Sequence, residues 1–232
     1  FFTGSYKTAQ YLHSICSKNL ISTTFELGGK SPLIIDKDSN LSIAAKRVCL
    51  GKFINCGQTC IAPDYLFVHK EVKQEFINLL KENIISFFGM KASESENYGR
   101  IINQKQFLRL KNLLSQGEII FGGNYNEQNN YISPTLIKPY ELNNTLMEEE
   151  IFGPILPILE FENIENVIEY INQRPRPLAL YYFGTKNANI IKQTISGGVC
   201  INDAIMHIIP HNLPFGGIGQ SGMGAYHGKE SF

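Results

Sequence analysis

The sequence lacks the features that mark membrane-spanning and nucleic-acid-binding proteins. No apolar run reaches the roughly 18 residues of a membrane span, and the most apolar stretch, residues 151–161, is interrupted by Gly153, Pro154 and Pro157. Lys plus Arg number 21 and Asp plus Glu number 21, so there is no excess positive charge to attract a nucleic acid. We therefore expect a chain without a membrane span or a nucleic-acid partner, whose ligand is a small molecule.

The cysteines and histidines also lack the spacing of a metal site or a disulfide framework. Five cysteines are an odd number at scattered positions, and no signal segment opens the sequence, so we expect reduced thiols and a cytoplasmic location. Cys56 and Cys60 have no second Cys or His pair near them at zinc-like spacing, so no metal is expected. None of the five histidines lies in a serine-nucleophile motif.

Strand-like and helix-like segments alternate along the chain, which predicts α/β architecture. Apolar or β-branched runs predict strands at residues 23–27, 33–35, 65–69, 131–137, 155–161 and 178–183. Helical spacing predicts helices near residues 40–55, 71–88 and 103–114 and around residues 167–171. Six glycines in residues 214–228 indicate backbone packed close to another element. Because residues 1–5 carry no initiator Met, we expect a piece of a longer chain.

Two residues stand out as candidates for chemistry, and local context leaves each open. Cys60 follows a glycine-containing turn, where backbone amides can lower a thiol pKa, but free cysteines more often serve as small buried hydrophobes. Glu26 ends an apolar strand, where burial would raise its pKa into the range of a general base, but a strand-end carboxylate is more often solvated. The acidic run 148–150 is, taken alone, typical of a solvated surface.

Five segments taken together resemble the aldehyde dehydrogenase superfamily, in the same order along the chain. The five segments are residues 2–5 (FTGS), 26–32 (ELGGKSP), 57–60 (GQTC), 149–154 (EEIFGP) and 214–217 (PFGG). Finer features in residues 58–65, 98–103 and 221–228 are similar to the class 3 and fatty aldehyde branch of that superfamily.

The resemblance implies a fold, a division into domains and an assembly. It implies an aldehyde dehydrogenase-like catalytic domain, a three-layer structure on a mostly parallel sheet, over residues 28–232 with a returning glycine-rich segment. Residues 1–27 would be the last piece of a Rossmann-type NAD(P)-binding domain. Most of that domain, and an asparagine that donates to the oxyanion, would lie upstream. The full-length protein would be a homodimer, and a membrane anchor in that parent protein stays open.

The resemblance also implies a reaction. The Cys60 thiolate would attack an aliphatic (medium- or long-chain) or aromatic aldehyde, and the thiohemiacetal would be oxidised by NAD or NADP to a thioester. Glu26 would activate the water that releases the carboxylic acid, and the backbone amide of Cys60 would donate to the oxyanion. The implied cofactor contacts are Gly4 and Ser5 to the pyrophosphate, Glu150 to the nicotinamide ribose, Phe152 near the ring, and Leu27.

Two other classes of function stay open at this point. The chain could be a truncated, non-catalytic remnant that binds intact subunits, or an NAD-independent cysteine esterase that uses Cys60 and Glu26. Because both residues stand in their motif settings, we favour the enzyme. The sequence leaves open the aldehyde chain length, the choice of NAD or NADP, and whether the chain works alone.

Overall fold

The computed structural model describes residues 1–231, apart from the side chains of residues 187, 188 and 230. In that part of the chain the α-helices are α1 Tyr6–Ser17, α2 Leu41–Phe53, α3 Lys73–Phe88, α4 Gln104–Leu113, α5 Thr145–Glu148, α6 Ile164–Asn172 and α7 Asn187–Gln193. The strands are β1 Phe2–Thr3, β2 Phe25–Glu26, β3 Pro32–Ile35, β4 Tyr65–His69, β5 Gly117–Phe121, β6 Tyr125–Asn126, β7 Tyr131–Ile132, β8 Thr135–Pro139, β9 Ile155–Phe161, β10 Ala179–Phe183, β11 Gly198–Ile201 and β12 Gly222–Met223.

A seven-stranded sheet in the order β11-β10-β3-β4-β9-β8-β5 carries the main core. Every neighbouring pair in it is parallel except β5 with β8. Strands β3, β4 and β10 are buried along their whole length, which is why their sequences are nearly continuous apolar runs. The α/β fold with a mostly parallel sheet, predicted from the sequence, is confirmed.

A second, smaller sheet holds Glu26 and lies apart from the main one. Its order is β1-β2-β12, so β2 has a parallel neighbour near the start of the chain and an antiparallel neighbour near its end. Ala9 of α1, Phe25 and Leu27 form a separate apolar cluster here. The Ser5 side chain caps α1 by accepting a hydrogen bond from the N–H of Thr8 at 3.3 Å. The division into domains at residue 27 stays a prediction.

The structure refines two sequence expectations. The strand predicted over residues 131–137 is two strands, β7 and β8, in different sheets, because Ser133 and Pro134 turn the chain between them. Strands β5 and β11 were not predicted, although each contains a short apolar run, at residues 119–121 and 199–201. No helix within the described residues is both long and apolar enough to cross a membrane.

Candidate active site

The turn that carries the candidate nucleophile Cys60, residues 55–62 and here named the nucleophile turn, connects α2 to β4 through unusual backbone. Asn55, Cys56 and Gly57 have φ values of +50°, +58° and +73°, a left-handed run that is costly for the first two. A Cβ at Gly57 would lie 2.2 Å from the carbonyl oxygen of Gly153. The turn therefore packs backbone against backbone at a point where only glycine fits.

Gln58 fixes this turn to a distant segment of the chain. Its side-chain amide donates to the carbonyl oxygens of Asn55 at 3.1 Å and Arg100 at 3.0 Å. Its side-chain oxygen accepts the N–H of Ile102 at 3.0 Å. An amide side chain can donate and accept at once, which a carboxylate or an ammonium cannot do. Gln58 was recognised only as part of a motif, because its partners lie more than 40 residues away.

The Cys60 thiol is half-buried rather than exposed, and its pKa is raised. Burial is the largest cause, followed by the negative charges of Glu150 and Glu26. The backbone N–H groups of Cys60 and Ile61 act in the opposite direction, as the sequence predicted, but they are outweighed. Glu26 and Glu150 are thus both close enough to Cys60 for their charges to raise its pKa.

Glu26 is a buried carboxyl group, so the solvated alternative is wrong. The residue is only 4% exposed, and neither carboxyl oxygen has a hydrogen-bond partner among the described residues. Burial alone raises its pKa to about 7. A carboxyl group that titrates near neutrality and has no protein partner is suited to take a proton from water.

The acidic turn, residues 146–153, is held by a buried ion pair behind it. The Lys30 ammonium donates to Asp64 and to the carbonyl oxygens of Leu146 and Glu149, both at 2.9 Å. The other carboxylate oxygen of Asp64 accepts the N–H of Ile151 at 2.9 Å. Each charge is therefore satisfied, which a buried pair requires to be stable.

Arg109 of α4 holds the same turn from another direction. Its guanidinium donates to the carbonyl oxygens of Glu150 at 3.3 Å and Ile151 at 2.5 Å. A third bond, to the side chain of Gln106 at 2.8 Å, orients the guanidinium. Sequence reasoning missed Arg109, Lys30 and Asp64, because single charged residues give no sign of such distant partners.

The acidic turn places the Glu150 carboxylate against the backbone of Gly28, two residues after Glu26. A Cβ at Gly28 would lie 2.2 Å from each of the two carboxylate oxygens, and the N–H of Gly29 hydrogen-bonds to this group. The pKa of Glu150 is raised to about 7 by burial and then by Asp64, with Gly29, Lys30 and Arg109 opposing. Gly28 is thus required here for the close approach of a side chain.

A cleft of about 650 Å³ opens beside these groups, and it contains several of the predicted cofactor residues. Its lining includes Gly4, Ser5, Gly28, Gly29, Glu150 and Arg176. Leu27 lies behind it, buried, with its N–H bonded to the Ser221 carbonyl oxygen at 3.1 Å. Phe152 is 41% exposed, has φ +48° and does not line the cleft. Among the described residues, no three His, Cys, Asp or Glu side chains are gathered to hold a metal ion.

This combination of fold and site defines an α/β protein with a half-buried cysteine, a buried carboxyl group and a cleft that could hold a ligand. The sequence profile of the aldehyde dehydrogenase family matches residues 1–232, and the chain belongs to that family. The family resemblance noted in the sequence is thereby confirmed.

Three characterised relatives match the whole of this chain. They are the 4,4'-diaponeurosporen-aldehyde dehydrogenase of Staphylococcus aureus (46% identical), the aldehyde dehydrogenase family 3 member A2 of Mus musculus (45%) and the dimeric NADP-preferring aldehyde dehydrogenase of Rattus norvegicus (44%). The match covers 52%, 48% and 52% of their respective lengths, so this chain spans about half of each. The similarity to family 3 members agrees with the branch predicted from the finer motifs.

Solved structures give the same result for the fold. The substrate-bound state of Staphylococcus aureus AldH superposes with a TM-score of 0.97 at 46% identity, over all of this chain and 52% of that one. The NAD+ complex of a Bacillus cereus aldehyde dehydrogenase superposes with a TM-score of 0.87 at 30% identity, over 99% of this chain and 48% of that one.

Proposed function

We propose that the protein containing this chain oxidises an aldehyde to the carboxylic acid with NAD or NADP, using Cys60 as nucleophile and Glu26 as general base. The observation that carries the proposal is the grouping of the two residues. A buried carboxyl group without a hydrogen-bond partner lies close enough to a half-buried thiol for its charge to raise the thiol pKa. Family membership supports this choice of chemistry.

The cleft fits a dinucleotide cofactor. Ser5 caps the twelve-residue helix α1 at the cleft wall, and such helix N-termini favour phosphate groups. Glycines at positions 28 and 29 let a ligand approach the backbone, and Glu150 offers acceptors for ribose hydroxyls. When bound, the nicotinamide accepts a hydride from the substrate carbon. Gly4, Leu27 and Phe152 are the remaining proposed contacts.

Cys60 acts first, through its thiolate. The sulfur adds to the aldehyde carbonyl carbon, and the resulting oxyanion of the thiohemiacetal accepts the backbone N–H of Cys60. Because the thiol pKa is raised in this structure, a proton has to leave Cys60 before the attack. Glu26, whose own pKa is about 7, is the nearby acceptor with free oxygens.

Glu26 acts again after oxidation, when the proton it took from Cys60 has passed to solvent and Cys60 carries a thioester. Its carboxylate removes a proton from water as the water oxygen attacks the thioester carbonyl, and the sulfur leaves as the acid is released. Burial keeps the carboxylate weakly solvated and therefore basic enough for this step.

An aliphatic aldehyde is the substrate class that the surface beside the nucleophile turn supports best. Leu50 and Ile54, at the end of α2 and just after it, are 38% and 45% exposed. Gly51, between them, packs against the segment around Ala204 and Ile205. The S. aureus relative is named as a 4,4'-diaponeurosporen-aldehyde dehydrogenase, which supports an aldehyde substrate.

The assembly and location are proposals of the same kind. The name of the rat relative includes the word dimeric, which supports a homodimer of the complete protein. All five cysteines are free thiols in the structure, which supports a reducing, cytoplasmic setting. Neither the non-catalytic remnant nor the esterase gains support from the comparisons.

The deciding experiment is NADH or NADPH formation from a medium-chain aldehyde, with Cys60→Ala beside the parent. The chain is assayed alone and as a fusion with the other half of the S. aureus relative. We expect activity in the fusion and a loss of at least about a thousandfold in Cys60→Ala. Cys49→Ala, which removes a thiol buried in α2, is the matched control and keeps its activity. Equal activity of the parent fusion and Cys60→Ala contradicts the proposal.

A further inference from the structure

Two adjacent tyrosines in β10 differ in the hydrogen-bond acceptors of their hydroxyl groups. Tyr181 and Tyr182 are both fully buried, and because they are neighbours in a strand they point to opposite faces of the sheet. The hydroxyl of Tyr182 donates to the Asp36 carboxylate at 2.7 Å. The hydroxyl of Tyr181 donates to the carbonyl oxygen of Ile61 at 2.6 Å, directly after the nucleophile in sequence.

The Tyr181 bond fixes the part of the nucleophile turn that faces the sulfur. Residues 59–62 form a tight turn closed by a bond from the N–H of Ala62 to the Thr59 carbonyl oxygen at 3.0 Å. The N–H groups of Cys60 and Ile61 in this turn favour the thiolate. Tyr181 lies close enough to be influenced by the charge of Cys60, and the backbone amide of Ile205 is close to the same hydroxyl.

We propose that Tyr181 is a positioning residue for the nucleophile: through the Ile61 carbonyl it holds the N–H groups of Cys60 and Ile61 towards the sulfur. Strand β10 is the rigid support for this bond, since it lies inside the large sheet and pairs with both β3 and β11. The inference rests on the proposed function in so far as Cys60 is the nucleophile. Its direct consequence, a change in thiol acidity, can be measured without any cofactor.

The test is Tyr181→Phe, with Tyr182→Phe as its matched control. Both changes remove one buried hydroxyl from the same strand, and the Tyr181 ring keeps its packing against His207, 5.8 Å away between centroids. The rate at which iodoacetamide alkylates Cys60 is followed by peptide mass spectrometry across pH in the 232-residue chain. We expect the profile of Tyr181→Phe to move to higher pH, with alkylation about tenfold slower at neutral pH because the N–H donors are misaligned.

Tyr182→Phe should lower thermal stability by a similar amount and leave the profile in place. An unmoved profile in Tyr181→Phe, or an equal movement in both variants, overturns the proposal. If Tyr181→Phe does not fold, 3-fluorotyrosine at position 181, whose hydroxyl is a stronger donor, should move the profile to lower pH, and no movement overturns the proposal.

Turnover of the fusion with the relative's other half gives the second readout. Tyr181→Phe should lower kcat with little change in the KM for aldehyde, since the misplaced groups act on the reacting atoms. If the unmodified fusion shows no Cys60-dependent turnover, the proposed function fails, while the alkylation profiles still decide the role of Tyr181.

Discussion

The nucleophile turn and the acidic turn bring Cys60 and Glu150 close to each other by different physical means. The nucleophile turn is held by left-handed backbone, close glycine packing and the uncharged amide of Gln58. The acidic turn is held by three charged side chains, Lys30, Asp64 and Arg109. The first should therefore be sensitive to changes of shape and the second to changes of charge.

The largest loss of stability is expected from Gly57→Ala, which changes the shape of the nucleophile turn. The new methyl group would meet the Gly153 carbonyl oxygen at 2.2 Å, backbone that cannot move aside cheaply, at a φ of +73°. We expect the free energy of unfolding to fall by about 3 kcal/mol or more in urea denaturation. Gly219→Ala, at φ +66° with no atom within 4 Å, isolates the backbone strain and should cost about 1 kcal/mol. Equal losses of unfolding free energy in the two variants would mean that the close contact with Gly153 does not stabilise the nucleophile turn.

A somewhat smaller effect is expected from Asp64→Asn in the acidic turn. The amide keeps an oxygen for the N–H of Ile151 but leaves the Lys30 ammonium buried without its counter-charge. We expect a loss of about 2 to 3 kcal/mol in the free energy of unfolding. Glu94→Gln, which breaks the exposed pair with Lys91, should cost less than about 0.5 kcal/mol. A loss in Asp64→Asn no larger than in Glu94→Gln would mean that charge does not hold this turn.

The smallest effect is expected on the reactivity of the Cys60 thiol, which lies near Glu150 of the acidic turn. Glu150→Gln and Glu26→Gln each remove a negative charge that raises the Cys60 pKa, so both should speed its alkylation, by about two- to threefold, with Glu150→Gln the stronger. Because both carboxyl groups have a pKa of about 7, their charge restrains the thiol only as the pH rises through 7. The variants should therefore depart from the parent above that pH.

Glu149→Gln is the matched control for these two changes. Glu149 belongs to the same turn, but its side chain is exposed, so its removal should leave the alkylation profile in place. Profiles measured by mass spectrometry that coincide for Glu149→Gln and Glu150→Gln would contradict the assignment of this charge to Glu150.

The sequence predicted the parts of the molecule whose cause is local. The buried strands β3, β4, β9 and β10 are predicted by their apolar runs, and Cys60 and Glu26 stand in recognisable motifs. The two-residue strand β12 depends on its pairing with β2, far along the chain, and the main chain of Glu150 depends on Arg109, which lies 41 residues away. Contacts of this kind arise from packing in three dimensions and leave no periodic signal in the residues that make them.

The pairing of Glu26 with Gly222 sets an order of events during synthesis. These two residues lie almost 200 positions apart, yet they are neighbours in the small sheet. Until the ribosome has released the second of them, β2 has only β1 beside it, and long-range pairing of this kind forms late because a large loop has to close. Cys60 can thus be in place beside the large sheet before Glu26 is fixed near it, so the thiol of the nascent chain lacks the negative charge of Glu26 that raises its pKa until Gly222 has paired.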